Sequence, residues 1–174
     1  MDAAKEPARA CGSVRIYDSQ NGCLVDVPIV PCSESNQSFP WAVDSKWFFI
    51  LSRDAIIYCL DVSNRTVLSQ WLIHNRSYPK CIALAPNGRL IAAAAATSVS
   101  FWDTKTHKKI GSVIEHVDSV GSMAISENDD IMTSARTTIT LMQLCDILPS
   151  CYLDVVSASK FSYVRCLPIH HSIY

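Results

Sequence analysis

The sequence predicts an all-β fold, namely a partial or open β-propeller of about 3 to 4 four-stranded antiparallel blades. Two independent registers of internal similarity support this prediction. Three similar segments share equally spaced alanines, at Ala42, Ala83 and Ala124. A second series of similar segments begins at Val14, Ile57, Val99 and Ile139, with nearly the same spacing. Both spacings fall at about 40 to 45 residues, which is the length of one such blade.

The pattern within a repeat is also that of a blade, because short apolar or alternating runs are separated by polar turn residues. In the clearest unit these runs are Cys81 to Ala85, Leu90 to Ala96, Ser98 to Trp102 and Lys109 to Ile114. Asn87-Gly88 predicts a hairpin turn, because both residues tolerate positive φ. The run Ala92 to Ala96 has high helix propensity. It is short and corresponds to apolar segments in the other units, so we expect an inner strand that packs closely against neighbouring sheets.

Three aspartates occupy equivalent places in successive repeats. Asp18, Asp61 and Asp103 each end a predicted strand just before a polar turn. A carboxylate at such a place accepts hydrogen bonds from turn amides. One aspartate alone would be read equally well as an ordinary solvated turn residue, but three in register favour a shared structural role.

These residues resemble the WD-repeat family. Trp102-Asp103 is the dipeptide that names the family, and His116 resembles the histidine with which each new blade of the family begins. The resemblance implies a buried hydrogen-bond chain from such a histidine to a Ser or Thr of the second strand, an Asp of the next turn and the Trp of the third strand. It also implies a propeller fold and a role in binding other proteins.

The family's hydrogen-bond chain is expected to be incomplete in this sequence. In the unit of His116 the corresponding residues are Ser134, Arg136 in place of Asp, and Met142 in place of Trp. In the unit of Trp102 a histidine is available at His74, but the second strand offers alanines instead of a hydroxyl group. We therefore expect the repeats to be held together by apolar packing more than by polar networks.

The resemblance covers residues 12–156, divided into a partial unit and three further units: 12–30, 39–74, 78–115 and 118–156. Residues 1–11 form an N-terminal segment that could belong to a truncated blade. Residues 157–174 leave the pattern and are open to three interpretations: an extra strand, a covering segment or disorder. An arc of so few blades would expose apolar faces and unpaired edges. We therefore expect further blades, as in a truncated product of a longer propeller protein, or a partner chain that closes the arc.

Composition argues against several classes of function. The 15 basic and 16 acidic residues give a net charge of −1 and do not form a basic surface, so no nucleic-acid binding is expected. The N-terminus lacks the apolar stretch of a signal peptide, and no run is long enough to cross a membrane. The eight cysteines are irregularly spaced and are expected to be reduced. We therefore expect the protein to be cytoplasmic, with the nucleus as the alternative location.

No chemistry-bearing motif is found. The sequence contains neither a nucleophile motif nor a phosphate-binding glycine loop, so no catalytic residue and no cofactor is expected. Cys166, His170 and His171 are too few and too poorly arranged for a metal site.

The remaining function is a non-catalytic protein-interaction module or scaffold. Residues expected in loops or at strand ends, where a partner would be met, are Arg53, Arg76, Tyr78, Arg89 and Arg136. The amino-acid sequence of Ser98 to His107 resembles that of the WD-repeat proteins of mushroom-forming fungi. This resemblance implies that the chain is the sensor part of a signalling protein. Two alternatives stay open: an enzyme built on a propeller with a channel Cys or His, and a truncated gene product with little function of its own.

Overall fold

The computed structural model describes residues 16–18, 20–25, 38–42, 46–73, 78–153 and 165–168. Over these ranges the regular elements are thirteen β-strands and two short 3₁₀ helices, with no α-helix. The strands are Ile16–Tyr17 (β1), Leu24–Val25 (β2), Trp47–Leu51 (β3), Ile56–Asp61 (β4), Thr66–Leu72 (β5), Pro79–Leu84 (β6), Leu90–Ala95 (β7), Ser98–Asp103 (β8), Lys109–Glu115 (β9), Val120–Ile125 (β10), Asp130–Ala135 (β11), Thr138–Gln143 (β12) and Arg165–Pro168 (β13). The 3₁₀ helices are Leu144–Asp146 and Ser150–Tyr152.

The strands form successive antiparallel sheets in chain order, which we call blades 1 to 4. Blade 1 is the hairpin β1-β2, blade 2 contains β3-β4-β5, blade 3 is β6-β7-β8-β9 and blade 4 is β10-β11-β12-β13. Neighbouring strands within each blade are neighbours in sequence. The predicted fold class is confirmed: the chain is all-β in its described part and forms an open arc of about three propeller blades.

The inner strand of blade 2 is an interrupted one. Residues 38–42 run antiparallel to β3 through isolated bridges between Ser38 and Leu51 and between Trp41 and Phe48. The amides of Phe49 and Leu51 donate to carbonyl oxygens of this segment. Pro40 lacks a backbone N–H group, so it cannot donate a hydrogen bond to β3. Residues 38–42 therefore complete blade 2 without forming a continuous ladder.

The outer strand of blade 4 corrects the predicted end of the last unit. Strand β13 pairs with β12, with Leu141 opposite Arg165 and Thr138 opposite Pro168. The prediction that this unit ends near residue 156 was wrong, because its fourth strand lies within residues 157–174. Of the three interpretations of that segment, the extra strand applies to residues 165–168.

The alanine run behaves as a strand, as its context predicts. Strand β7 lies in the interior of blade 3, and Ala92, Ala93 and Ala94 are completely buried. Ala92 and Ala94 pack toward blade 4, whereas Ala93 packs toward blade 2. Because both faces of this strand meet another sheet, small side chains let the blades approach closely.

The same two-sided burial holds blades 2 and 3 in the arc. Along β3, Phe48 and Ile50 face one apolar cluster, which includes Ile16 of blade 1, and Phe49 and Leu51 face another, which includes residues of blade 3. Phe101 of β8 is completely buried between blades 3 and 4. Apolar packing between successive sheets is thus the main source of cohesion.

Residues 144–153, which we call the capping segment, connect β12 to the last part of the chain and pack beneath blades 3 and 4. Leu144 and Leu148 are buried in the cluster between these two blades. The carbonyl oxygen of Ile147 lies beside Gly111, where a Cβ atom would approach it to 2.9 Å. Gly111 has a φ of +61° and lies at a register shift between β8 and β9, so the capping segment fits into a bulge that a glycine makes possible.

The backbone repeats itself even where the side chains do not. Ala55, Ala96 and Arg136 begin or form equivalent turns and all have positive φ, at 63°, 52° and 37°. They follow one another at nearly the same spacing as the alanines that mark the sequence repeat. Gly88 and Asp129, at 71° and 57°, are a second such set and stand one repeat apart. The turn geometry of a blade is therefore reproduced without a glycine at most of these positions.

No helix in the described ranges is long and apolar enough to span a membrane.

Candidate binding surfaces

Turns from all blades gather at two edges of the arc. The lower edge, as we call it, carries the turns at 18 and 20–23, 61–66, 86–89 and 103–108. The upper edge carries those at 52–55, 96–97, 116–119 and 136–137. In propellers these edges present the loops that are free to contact other molecules.

The three turn aspartates lie on the lower edge in equivalent geometry. A carboxylate oxygen of Asp18 accepts from the amide of Gln20 at 2.7 Å, and one of Asp61 accepts from that of Asn64 at 2.9 Å. Asp103 accepts from the amide of Lys105 at 2.8 Å and also from that of Thr106. Each carboxylate accepts backbone hydrogen bonds within its own turn.

Asp103 is also tied to the capping segment. Burial opposes its ionisation, but hydrogen bonds from Thr106, the Tyr152 hydroxyl and Lys105 outweigh that effect and lower the pKa of Asp103. The same bond to Asp103 raises the pKa of Tyr152. The Asn87 side chain donates to the Tyr152 carbonyl at 3.1 Å, and the Arg89 guanidinium lies 5.9 Å from the Tyr152 ring centre. These contacts fix the capping segment against blade 3.

The polar partners of Trp102 and His116 differ from those that the sequence indicates. Trp102 donates its indole N–H to the Ser100 hydroxyl at 2.9 Å, so the hydroxyl comes from its own strand instead of the second strand. Nε2 of His116 lies 3.4 Å from Oγ1 of Thr133. The expectation that Ser134 is the partner of His116 was wrong by one residue. Because side chains alternate along a strand, Ser134 lies on the opposite face from Thr133. His74 lies outside the described residues.

Two of the predicted surface residues meet at the upper edge. The Arg53 guanidinium lies 6.0 Å from the centre of the Tyr78 ring, and Tyr78 is 70% exposed. Arg136 is exposed on the same edge, as is Val117, which is fully exposed and was missed in the sequence. Arg89 lies on the lower edge, and Arg76 falls outside the described residues. The predicted set is therefore divided between two edges.

A groove lies between blades 2 and 3 at the lower edge, with a cavity of about 610 Å³. Its lining is largely apolar and includes Trp47, Phe49 and Leu68, with Lys105 and His107 contributed by the turn between β8 and β9. Nothing in the sequence points to this groove, because its walls come from separate repeats.

Cys59 belongs to the groove lining, and Cys81 is buried in the cluster between blades 3 and 4. Burial raises the pKa of both thiols to about 11. Both are therefore protonated near neutral pH and lack the thiolate that a nucleophile needs. No set of three or more His, Cys, Asp and Glu residues that could hold a metal ion occurs within the described ranges.

The outward face of blade 4 is apolar and open. Met132 is 46% exposed and Leu141 is 41% exposed. The equivalent residues of blade 3, Ala92 and Phe101, are completely buried because blade 4 covers them. Ala124 is exposed, whereas its equivalent Ala83 is buried. Blade 4 thus presents the kind of surface that successive blades bury between them.

Similarity to known proteins is found at the level of the three-dimensional structure and not of the sequence. No protein-family model matches the chain, and no curated protein sequence matches it. A structure of U3-55K superimposes on 80% of this chain with a TM-score of 0.65 and 15% identity, covering 41% of U3-55K. A crystal structure of the WD40 repeats of RRP9 has the same TM-score, identity and coverage of this chain, and is itself covered to 40%.

The chain has the fold of WD40 repeats. It spans about two fifths of the length of the WD40 structures that it matches. Hydrazine synthase from Kuenenia stuttgartiensis is also similar, with a TM-score of 0.58 and 17% identity over 64% of this chain and 33% of that one. At such identities the likeness concerns the fold alone.

Proposed function

We propose that this chain is a non-catalytic WD-repeat protein-interaction module or scaffold. The observation that carries the proposal is the pair of Arg53 and Tyr78 at the upper edge. Tyr78 is 70% exposed, and the Arg53 guanidinium lies 6.0 Å from the centre of its ring, a cation–π contact between two exposed side chains. Exposed arginine and tyrosine side chains held in place are the residues most often found at the energetic centre of protein interfaces.

The finer parts of the proposal rest on the sequence. The amino-acid sequence of the repeats supports membership of the WD-repeat family. It also supports a role as the sensor part of a fungal signalling protein, located in the cytoplasm or the nucleus. The protonated thiols of Cys59 and Cys81 give no support to the alternative of a catalytic cysteine at these two positions. The partner is a protein, and neither nucleic acid nor a membrane is part of the proposal.

Affinity capture tests this function. The full chain is immobilised and exposed to an extract of its source organism, beside a double variant with Arg53→Ala and Tyr78→Ala. We expect a reproducible partner that the double variant retains at least about tenfold less well, the equivalent of about 1.4 kcal/mol. Arg89→Ala is the matched control, because it removes another arginine next to a tyrosine ring, but on the lower edge. Absence of any reproducible partner, with the chain shown to be folded by circular dichroism, would contradict the proposal.

We further propose that a further blade or a partner chain covers the outward face of blade 4. An alternating apolar face of this kind, with Met132 and Leu141 more than 40% exposed, is typical of a surface that is buried in an assembly. Light scattering of the isolated chain should therefore show self-association that Leu141→Lys reduces without lowering the unfolding temperature. A monomeric chain with unchanged behaviour in the variant would leave this face as an ordinary exterior surface.

A further inference from the structure

We propose that the groove between blades 2 and 3 binds a segment of a partner protein in which one aromatic or large aliphatic side chain is flanked by carboxylates. The inference rests on the proposed function as a protein-interaction module. It concerns a different place from the upper edge, so the two can be tested separately.

The apolar part of the groove has the size and composition of a side-chain pocket. Its volume of about 610 Å³ lies within the range of about 300 to 1,000 Å³ typical of ligand sites. Phe49 is almost completely buried in its lining, whereas Trp47 and Leu68 line it and remain 44% and 49% exposed. Two large apolar side chains are thus kept partly in water beside a recess, which is unfavourable unless an apolar group covers them.

A β-bulge accounts for the position of Leu68. Cys59 pairs with Ser69, and the next residue, Leu60, pairs with Val67, so Leu68 is the extra residue of β5. A bulge redirects a side chain that a regular strand would place elsewhere, and bulges are common beside binding sites.

The charge of the groove selects the flanking residues of the partner. The turn after β8 has three lysines in the five residues Lys105 to Lys109, and Lys105 and His107 line the groove. Asp103 of the same turn is not part of the lining, and its carboxylate accepts hydrogen bonds from backbone amides and from the Tyr152 hydroxyl. No Asp or Glu is found in the lining formed by the described residues. Lys105 at the rim, with Lys108 and Lys109 in the same turn, favours a segment with acidic residues and disfavours a basic one.

The walls of the groove are held in place before any partner arrives. The His107 ring stacks on Trp71 with 4.2 Å between ring centres, and Trp71 meets Phe49 edge to face at 6.3 Å. His107 has a φ of +58° and is fixed by its amide bond to the Asp103 carbonyl at 2.9 Å. The Cys59 thiol adds no negative charge near neutral pH, because burial raises its pKa to about 11. Such preorganisation reduces the entropic cost of binding.

The test measures fluorescence anisotropy of short labelled peptides with the full chain. The panel contains one peptide with a central Phe flanked by Asp and Glu, the same peptide with Ala in the centre, and versions with Ser flanks or Lys flanks around Phe. We expect saturable binding of the acidic Phe peptide. The version with a central Ala and the version with Lys flanks should each bind at least about tenfold more weakly. The version with Ser flanks should bind about threefold more weakly.

Paired variants locate the binding in the groove. Leu68→Asp should weaken the acidic Phe peptide at least about tenfold, whereas Leu72→Asp should change its affinity less than about twofold. The two leucines lie in the same strand and are both 49% exposed, but Leu72 is not part of the groove lining. Lys105→Glu should remove the preference for acidic over Ser flanks. Lys80→Glu, at an exposed position of β6 outside the groove lining, should leave that preference intact.

Circular dichroism and tryptophan fluorescence establish folding for each variant. If Leu68→Asp does not fold, Lys105→Glu decides the location, because it changes an exposed turn residue. A folded chain that binds no peptide of the panel, or binds the Ala version equally well, overturns the inference. So does binding that neither groove variant weakens. If affinity capture succeeds through Arg53 and Tyr78 while the peptides fail, the proposed function survives and the groove inference alone is wrong.

Discussion

Gly111 and Gly88 provide the sharpest test of how the capping segment is packed. Both have positive φ, at 61° and 71°. An added Cβ meets nothing within 4 Å at Gly88, but at Gly111 it lies 2.9 Å from the Ile147 carbonyl oxygen and 3.0 Å from Leu148 Cδ2. Gly88→Ala should therefore lower the free energy of unfolding only by the backbone term of about 1 kcal/mol. Gly111→Ala adds displacement of a backbone oxygen, for a total of about 2 to 4 kcal/mol.

Urea denaturation followed by tryptophan fluorescence measures both variants. Because the two substitutions are chemically identical and both place alanine at positive φ, their difference isolates the contact with the capping segment. Leu148→Ala removes one of the two crowded atoms, so the cost of Gly111→Ala should be smaller in that background. Equal losses for Gly88→Ala and Gly111→Ala would refute the packing of residues 144–153 against β9.

Three further predictions concern the strands, the polar pairs and pH. Ala92→Gly should cost about 1.5 kcal/mol of unfolding free energy through strand flexibility and the lost methyl group, whereas Ala96→Gly, at φ +52°, should cost nothing measurable. Phe101→Ala should cost about 3 to 5 kcal/mol, against about 1 to 2 for Trp102→Phe, in urea melts. Burial lowers the pKa of His116 below 6.5, so the folded chain takes up this proton less readily than the unfolded chain. Stability should therefore fall as the pH is lowered through about 6.5, because the unfolded chain takes up this proton first.

Each of these predictions has its own control. Equal losses at Ala92 and Ala96 would contradict the left-handed turn at the second position. A larger loss for Trp102→Phe than for Phe101→Ala would mean that polar networks dominate over apolar packing. His116→Gln should flatten the acid part of the stability profile, and an unchanged slope would assign the pH dependence to other groups.

The repeat period and the turn chemistry were predictable because they are local. A constant step, the Asn87-Gly88 hairpin and the aspartates that close their turns are each contained within a few residues. The strand assignment of the alanine run also followed for Ala92 to Ala95, since the neighbouring turns overrule helix propensity, whereas Ala96 begins the next turn. These signals were enough for the number and order of most strands.

The remaining features depend on contacts between distant segments. Strand β13 joins blade 4 after the capping segment, and nothing in its four residues repeats the earlier units. Thr133 rather than Ser134 meets His116, because the face of a strand is set by register, which a one-residue shift reverses. The groove joins Leu68 of blade 2 to Lys105 of blade 3, and their proximity exists only after the blades have packed.

Hydrogen exchange of the full chain with and without its captured partner tests most directly whether the arc of blades acts as a binding surface. We predict that the partner slows exchange at the upper-edge turns 52–55 and 116–119 and at Tyr78, while the amides of β7 and β8 stay equally protected in both states. No change in exchange at either edge, or equally slowed exchange throughout the described strands, would contradict the account.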